Sequence, residues 1–171
     1  EKGNIRYLVF ECLAERTIAL AQQARRRDPA KGFDELLGKR MEAVLPACRE
    51  RGIKIITNMG AANPLGALEA LRKTAKQLGI RGLKLAAITG DDVLDLILRE
   101  NPIIVETGER VSGLKDRLVS ANAYLGAEAL CEALQKGADV IITGRVADPS
   151  LFQMEEHTSE LQSLAYRVCR L

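Results

Sequence analysis

Histidine is nearly missing from this sequence. The one example among 171 residues is His157, close to the C-terminus. Without it, residues 1–154 hold no Ser/His/Asp or Cys/His arrangement and no histidine metal ligand. Catalysis within that stretch has to use Asp, Glu, Arg, Asn, Tyr or backbone groups. Cysteine is also scarce, with four residues. Cys12, Cys48 and Cys131 fall on or beside the buried faces of predicted helices. They read as core thiols of a reducing compartment, not as disulfide partners or nucleophiles. Charge of one sign is lacking too. Lys plus Arg number 25 against 23 Asp plus Glu, a net +2, which gives no reason to expect a nucleic-acid partner or a membrane surface. The single basic cluster, Arg25, Arg26 and Arg27, ends a predicted helix, where cations favour the dipole. No apolar run reaches membrane-spanning length, and no signal peptide is visible. Neither a Walker A loop nor a G-x-G-x-x-G fingerprint occurs, which weakens a nucleotide-binding reading. The chain does not start with Met, so its start reads as a truncation.

What is present is an alternation of apolar runs and amphipathic stretches, with 47% hydrophobic and 28% charged residues, ordinary for one globular domain. Residues 5–10 predict a strand. A helix follows with Leu13, Thr17, Leu20, Ala21 and Ala24 on one face, ended by Asp28-Pro29. Asp34 is placed to cap a second helix with the stripe Leu37, Met41, Val44, Leu45 and Cys48. Pro46 inside that pattern predicts a kink or break. Residues 53–57 predict the second strand. Asn63 and Pro64 then start a helix through Leu68, Leu71, Ala75 and Leu78. Residues 83–89 predict the third strand. A short helix, capped by Asp91 or Asp92, carries Val93, Leu94, Ile97 and Leu98. Residues 103–105 fit a short strand or an extended loop, and 118–124 read as a strand end. The next helix buries Ala127, Leu130, Cys131 and Leu134. Residues 138–143 are an apolar run of the kind found in a strand buried on both faces.

This alternation predicts an α/β fold in three layers: a mostly parallel, Rossmann-like sheet with helices on both faces, truncated at both ends. Right-handed crossovers put all the strand ends on one edge, where open α/β sheets bind ligands. Four polar segments converge there: 58–63, 90–92, 122–126 and 144–150. The ligand-binding candidates are Asn58, Gly60, Asn63, Gly90, Asn122, Tyr124, Gly144, Arg145 and Ser150. Asp148, Asp91 and Asp92 are the candidates for acid/base or metal work. Simpler roles stand beside these: helix capping for Asn63, Asp91 and Asp92, a loop ion pair for Arg145 with Asp148, and a core aromatic for Tyr124. Arg145 is the group expected to grip an anion, with Gly144 leaving room for its approach.

Five stretches, taken together and in order, resemble the acyclic terpene utilisation (AtuA-like) family: Tyr7 to Thr17, Thr57 to Pro64, Thr89 to Asp92, Ser120 to Ala127 and Thr143 to Ser150. The resemblance runs from about Ile5 to Leu151. It implies an N-terminal domain fragment of a bacterial cytoplasmic protein tied to breakdown of citronellol and geraniol through acyl-CoA intermediates. On that footing the expected ligand is a small, CoA-linked or carboxylic molecule, handled by an enzyme or by a non-catalytic subunit serving one. The family supplies a pathway and not a mechanism. Cofactor, metal use and oligomeric state stay open, a homo-oligomer being one option. After Met154 the periodic pattern stops. Nine residues from Glu155 to Ser163 match the in-frame translation of a common sequencing adapter, and Val168 to Leu171 match its next constant part. The expected division is therefore a partial α/β domain over 1–154 and a non-native tail over 155–171 that packs against nothing.

Overall fold

The computed structural model of the chain describes residues 5–114, 117–147 and 151. The elements run β1 (Tyr7–Phe10), α1 (Glu15–Arg27), α2 (Leu37–Arg51), β2 (Lys54–Thr57), α3 (Pro64–Gln77), β3 (Leu85–Ile88), α4 (Leu94–Glu100), α5 (Glu128–Gln135) and β4 (Val140–Thr143). A 3-10 turn, Val111–Leu114, lies between α4 and α5. The four strands form one parallel sheet in the order β1-β2-β4-β3. The tail over 155–171 lies outside the described residues, as does Asp148 to Ser150. Among the described residues, no helix is long and apolar enough to cross a membrane.

Strand alternation sorts the apolar residues into two cores. Ile55, Val140 and Ile142 face one side, where they meet Leu37, Met41, Leu45 and Cys48 of α2 and Ala67, Leu71 and Ala75 of α3. Ile56, Ile88 and Ile141 face the other, where they meet Leu130 of α5, Val146 and Leu151. The sheet is thus sandwiched between helices, an α/β architecture as the sequence predicts. Crossover handedness explains which helix goes where. The steps from β1 to β2 and from β2 to β3 move in one direction, and α2 and α3 cover one face. The step from β3 back to β4 reverses direction, so α5 covers the opposite face. All four residues of β4 are buried, because this strand is central and covered on both sides.

Three expectations need correction. Residues 118–124 do not form a strand end. Asn122 makes an isolated antiparallel bridge to Asp92, and Leu125 a parallel bridge to Val146. The backbone of this segment bonds to the loop after β3, through Val93 N–H to Ala121 O and Ala123 N–H to Asp91 O, and not to the sheet. Pro46 does not break α2, which continues to Arg51; the proline lies on its exposed face. In α1 the buried residues are Ile18 and Gln22, while Leu20 is 53% exposed and Thr17 is exposed. The predicted stripe was counted from Leu13, which precedes the helix. Once the helix starts at Glu15, the buried face shifts by one residue.

Candidate functional site

β1, β2, β3 and β4 are parallel, so the loops that follow them share one edge. Asn58, immediately after β2, is 1% exposed and fully engaged. Its Oδ1 accepts from Cys12 N–H at 2.8 Å, and its Nδ2 donates to Glu11 Oε1 at 2.8 Å. The chain then turns tightly, with Ala61 N–H bonded to Asn58 O and Asn63 N–H to Gly60 O. Gly60 is required by contact: a Cβ there would lie 2.5 Å from Thr143 O and 2.9 Å from the Pro64 Cα. Ala61 has φ of +45°, the left-handed region that non-glycine residues rarely enter. Its methyl packs with Leu13 and Ile18 in a small third core. Asn63 caps α3 through Gly66 N–H and donates to Pro29 O and Lys31 O.

Asp91 is the centre of the edge. It is 4% exposed, and its Oδ2 accepts from Arg145 N–H at 2.8 Å and from Asn122 Nδ2 at 3.0 Å. Burial pushes its carboxyl above the ordinary aspartate value. The two hydrogen bonds pull the other way, and the Asp92 charge adds to the rise. Gly144 leaves room for this carboxylate. A Cβ at Gly144 would stand 2.5 to 2.7 Å from both Asp91 oxygens and their carbon. Asp91 therefore does not cap α4. Asp92, which is exposed, makes a 3.4 Å contact with Leu94 N–H and another with Arg25 Nη1. Gly90 takes φ of +113° at the turn before them.

Arg145 is 3% exposed. Its Nη1 donates to Leu13 O at 3.0 Å, Nη2 lies 3.5 Å from Glu15 Oε1, and the guanidinium sits 4.7 Å from the centre of the Tyr124 ring. The Tyr124 hydroxyl donates to the same Glu15 oxygen at 2.8 Å, although the ring is 55% exposed. The guanidinium thus grips the start of α1. The carboxyl of Glu15 is held below its ordinary value by its own backbone N–H, then by Tyr124 and Arg145. At the other end of α1, Arg25 donates to Ala62 O at 2.6 Å and Arg26 makes a 3.4 Å contact with Leu118 O. Arg25 and Arg26, read from sequence as helix-end cations that favour the dipole, therefore pin α1 across the strand ends.

The structure places Asn58, Gly60, Asn63, Gly90, Asp91, Asp92, Asn122, Tyr124, Gly144 and Arg145 along this edge. Asp148 and Ser150 lie outside the described residues. Glu11 and Glu15 take part in the network although the sequence reading passed over them. Glu11 follows β1 directly, the position that drew attention to the other three strand ends. Nearby, Arg40 Nη1 lies 2.8 Å from Cys12 Sγ and 3.6 Å from Asp34 Oδ2. Burial still holds the Cys12 thiol above its ordinary value, which does not favour a nucleophilic thiolate. Among the described residues no group of three or more His, Cys, Asp or Glu gathers to hold a metal ion. Two surface hollows lie elsewhere. One is a narrow cleft beside Leu45, Gly52 and Asp139 at the opposite sheet edge, and the other is a shallow groove along β3 and α5.

Residues 1–154 match the family model described as acyclic terpene utilisation family protein AtuA. No curated protein and no solved structure matches the chain.

Proposed function

The chain belongs to the acyclic terpene utilisation family, and from that premise we propose that the carboxyl edge of its sheet takes a branched acyl-CoA or related carboxylic intermediate. One observation supports this reading above the others. Asp91 is a buried carboxyl with raised proton affinity, set in the loop cluster where parallel sheets bind ligands. A carboxyl of that kind exchanges a proton nearer to neutral pH than an exposed one, which suits acid/base work on a bound carbonyl compound. Asn122 and the Arg145 N–H orient its Oδ2. The Arg145 side chain, committed to α1, supplies positive charge at the site without a direct grip on the ligand. The cytoplasm, where thiols stay reduced and acyl-CoA chemistry runs, is the compartment this reading implies.

A second reading is a non-catalytic ligand-binding subunit. It is favoured by the side chains of Asn58, Asn63 and Arg145, all of which spend their hydrogen bonds within the chain. The test uses the full-length protein with citronellyl-CoA, followed by calorimetry and mass spectrometry of the thioester. Binding with turnover that is lost in Asp91→Asn supports the enzyme. Binding with an unchanged thioester supports the subunit. No binding of the thioester or of free citronellic acid removes both.

A further inference from the structure

Given the strand-edge reading above, one residue on the underside of α1 bears on how the ligand is held. Gln22 is 6% exposed, and its Nε2 is the one buried side-chain polar atom without a hydrogen-bond partner among the described residues. An amide left unsatisfied in a protein interior is costly, and native structures retain few of them. A leucine or methionine there would extend the Leu13, Ile18 and Ala61 core at no such cost.

Helical spacing fixes where Gln22 points. It lies one turn beyond Ile18, which packs on Ala61, and three and four residues before Arg25 and Arg26. Those two arginines reach Ala62 O and Leu118 O. Gln22 therefore lies on the face of α1 that Ile18 and Arg25 hold against the 58–63 turn. The helix itself leans on loops. It has no extensive packing against any other helix or strand. Its polar tethers sit at its two ends, on the exposed Glu15, Arg25 and Arg26, with Arg145 also holding Leu13 O just before it. The Arg25 contacts exchange with water at little cost, and with so little packing on other elements α1 is a part able to open locally once the buried Arg145 latch on Leu13 O and Glu15 releases.

We propose that Gln22 is a ligand-contacting residue: α1 forms the roof of the strand-end site, and the Gln22 side-chain amide donates from it to an oxygen of the bound ligand. Nε2 is only a donor, so its partner is an acceptor. A carboxylate or thioester carbonyl oxygen fits, the same functional group that Asp91 would address from below. Ligand entry requires α1 to lift, and binding closes it.

The test compares wild type with Gln22→Met and Gln22→Glu in the full-length protein, using citronellic acid and citronellyl-CoA as probes. Gln22→Met should melt at or above the wild-type temperature, because it removes an unsatisfied donor. It should bind the probes at least tenfold more weakly. Gln22→Glu places a charge against the ligand oxygen and should bind more weakly still. Hydrogen exchange of α1 should be faster than that of α2 and α3 without probe, and should slow on probe binding in wild type but not in Gln22→Met. Wild-type affinity in Gln22→Met, within twofold, overturns the role of Gln22 while leaving the site reading standing. Failure of wild type to bind either probe overturns both.

Discussion

At the scale of single residues, the site is organised by close approach. Gly60 and Gly144 both stand where a methyl group has no room, but the obstacles differ. At Gly60 it is backbone, Thr143 O and Pro64 Cα; at Gly144 it is the Asp91 carboxylate. Backbone cannot step aside, whereas a side chain can rotate by breaking its hydrogen bonds. Gly60→Ala should therefore cost more, on the order of 3 kcal/mol or above, and Gly144→Ala about 1–3 kcal/mol. Chemical denaturation of the two variants checks the ranking; equal losses would show that the Asp91 carboxylate is no more yielding than backbone. Asp91 also gives a signed pH effect. Its folded value is raised, so the folded state binds the proton more tightly than the unfolded chain does. The stability this contributes is present below the ordinary aspartate value and is lost as pH rises through the raised one. Asp91→Asn can still accept from Arg145 N–H and Asn122. It should flatten that segment of the stability–pH curve, read by urea titrations across the acid-to-neutral range.

At the scale of elements, α1 depends on its latches more than on packing. Arg145→Lys would keep a positive charge near Glu15 but lose the guanidinium contact with the Tyr124 ring and the hydrogen bond to Leu13 O. The sequence reading of Arg145 as an anion grip would instead have this substitution weaken ligand binding and spare folding. With the guanidinium buried and turned onto α1, the expected result is a stability loss of about 1–3 kcal/mol. Hydrogen exchange of α1 should become faster than in wild type, and an unchanged melting curve would rule the latch out. The same helix shows where sequence reading stops. α2 and α3 were legible because most of their apolar stripes pack on the sheet face and on each other, although Leu78 at the end of α3 is exposed. The apolar face of α1 is short, it meets loops, and it contains Gln22, so no periodic pattern reports it. Glu11 and Glu15 were hidden for a similar reason: acidic residues near a helix start read as dipole partners. The 118–124 segment was misread because its ladder partner is another loop.

At the scale of the whole molecule, the sequence disclosed the layers and the common edge of the strand ends, because both follow from alternation and handedness. It did not disclose the strand order, which depends on which of several apolar runs occupies the centre. That order has a consequence for how the chain is made. Among the described residues, β4 is the last strand in sequence but central in the sheet, and β3 pairs with β4 alone. During synthesis, β1 and β2 are able to pair early, while β3 leaves the ribosome without a neighbour. It must wait until more than fifty further residues separate Ile88 from the arrival of Val140. Pairing over such a separation is slow. A chain stopped at residue 137 should therefore keep the β1-β2 region protected from limited proteolysis and be cut readily around 81–100. The chain that includes β4 should resist at both places, and equal resistance in the shorter chain would show that β3 finds support elsewhere. The central strand thus acts as a completion signal: until it emerges, the half of the site that follows β3, Asp91 included, has no fixed place to stand.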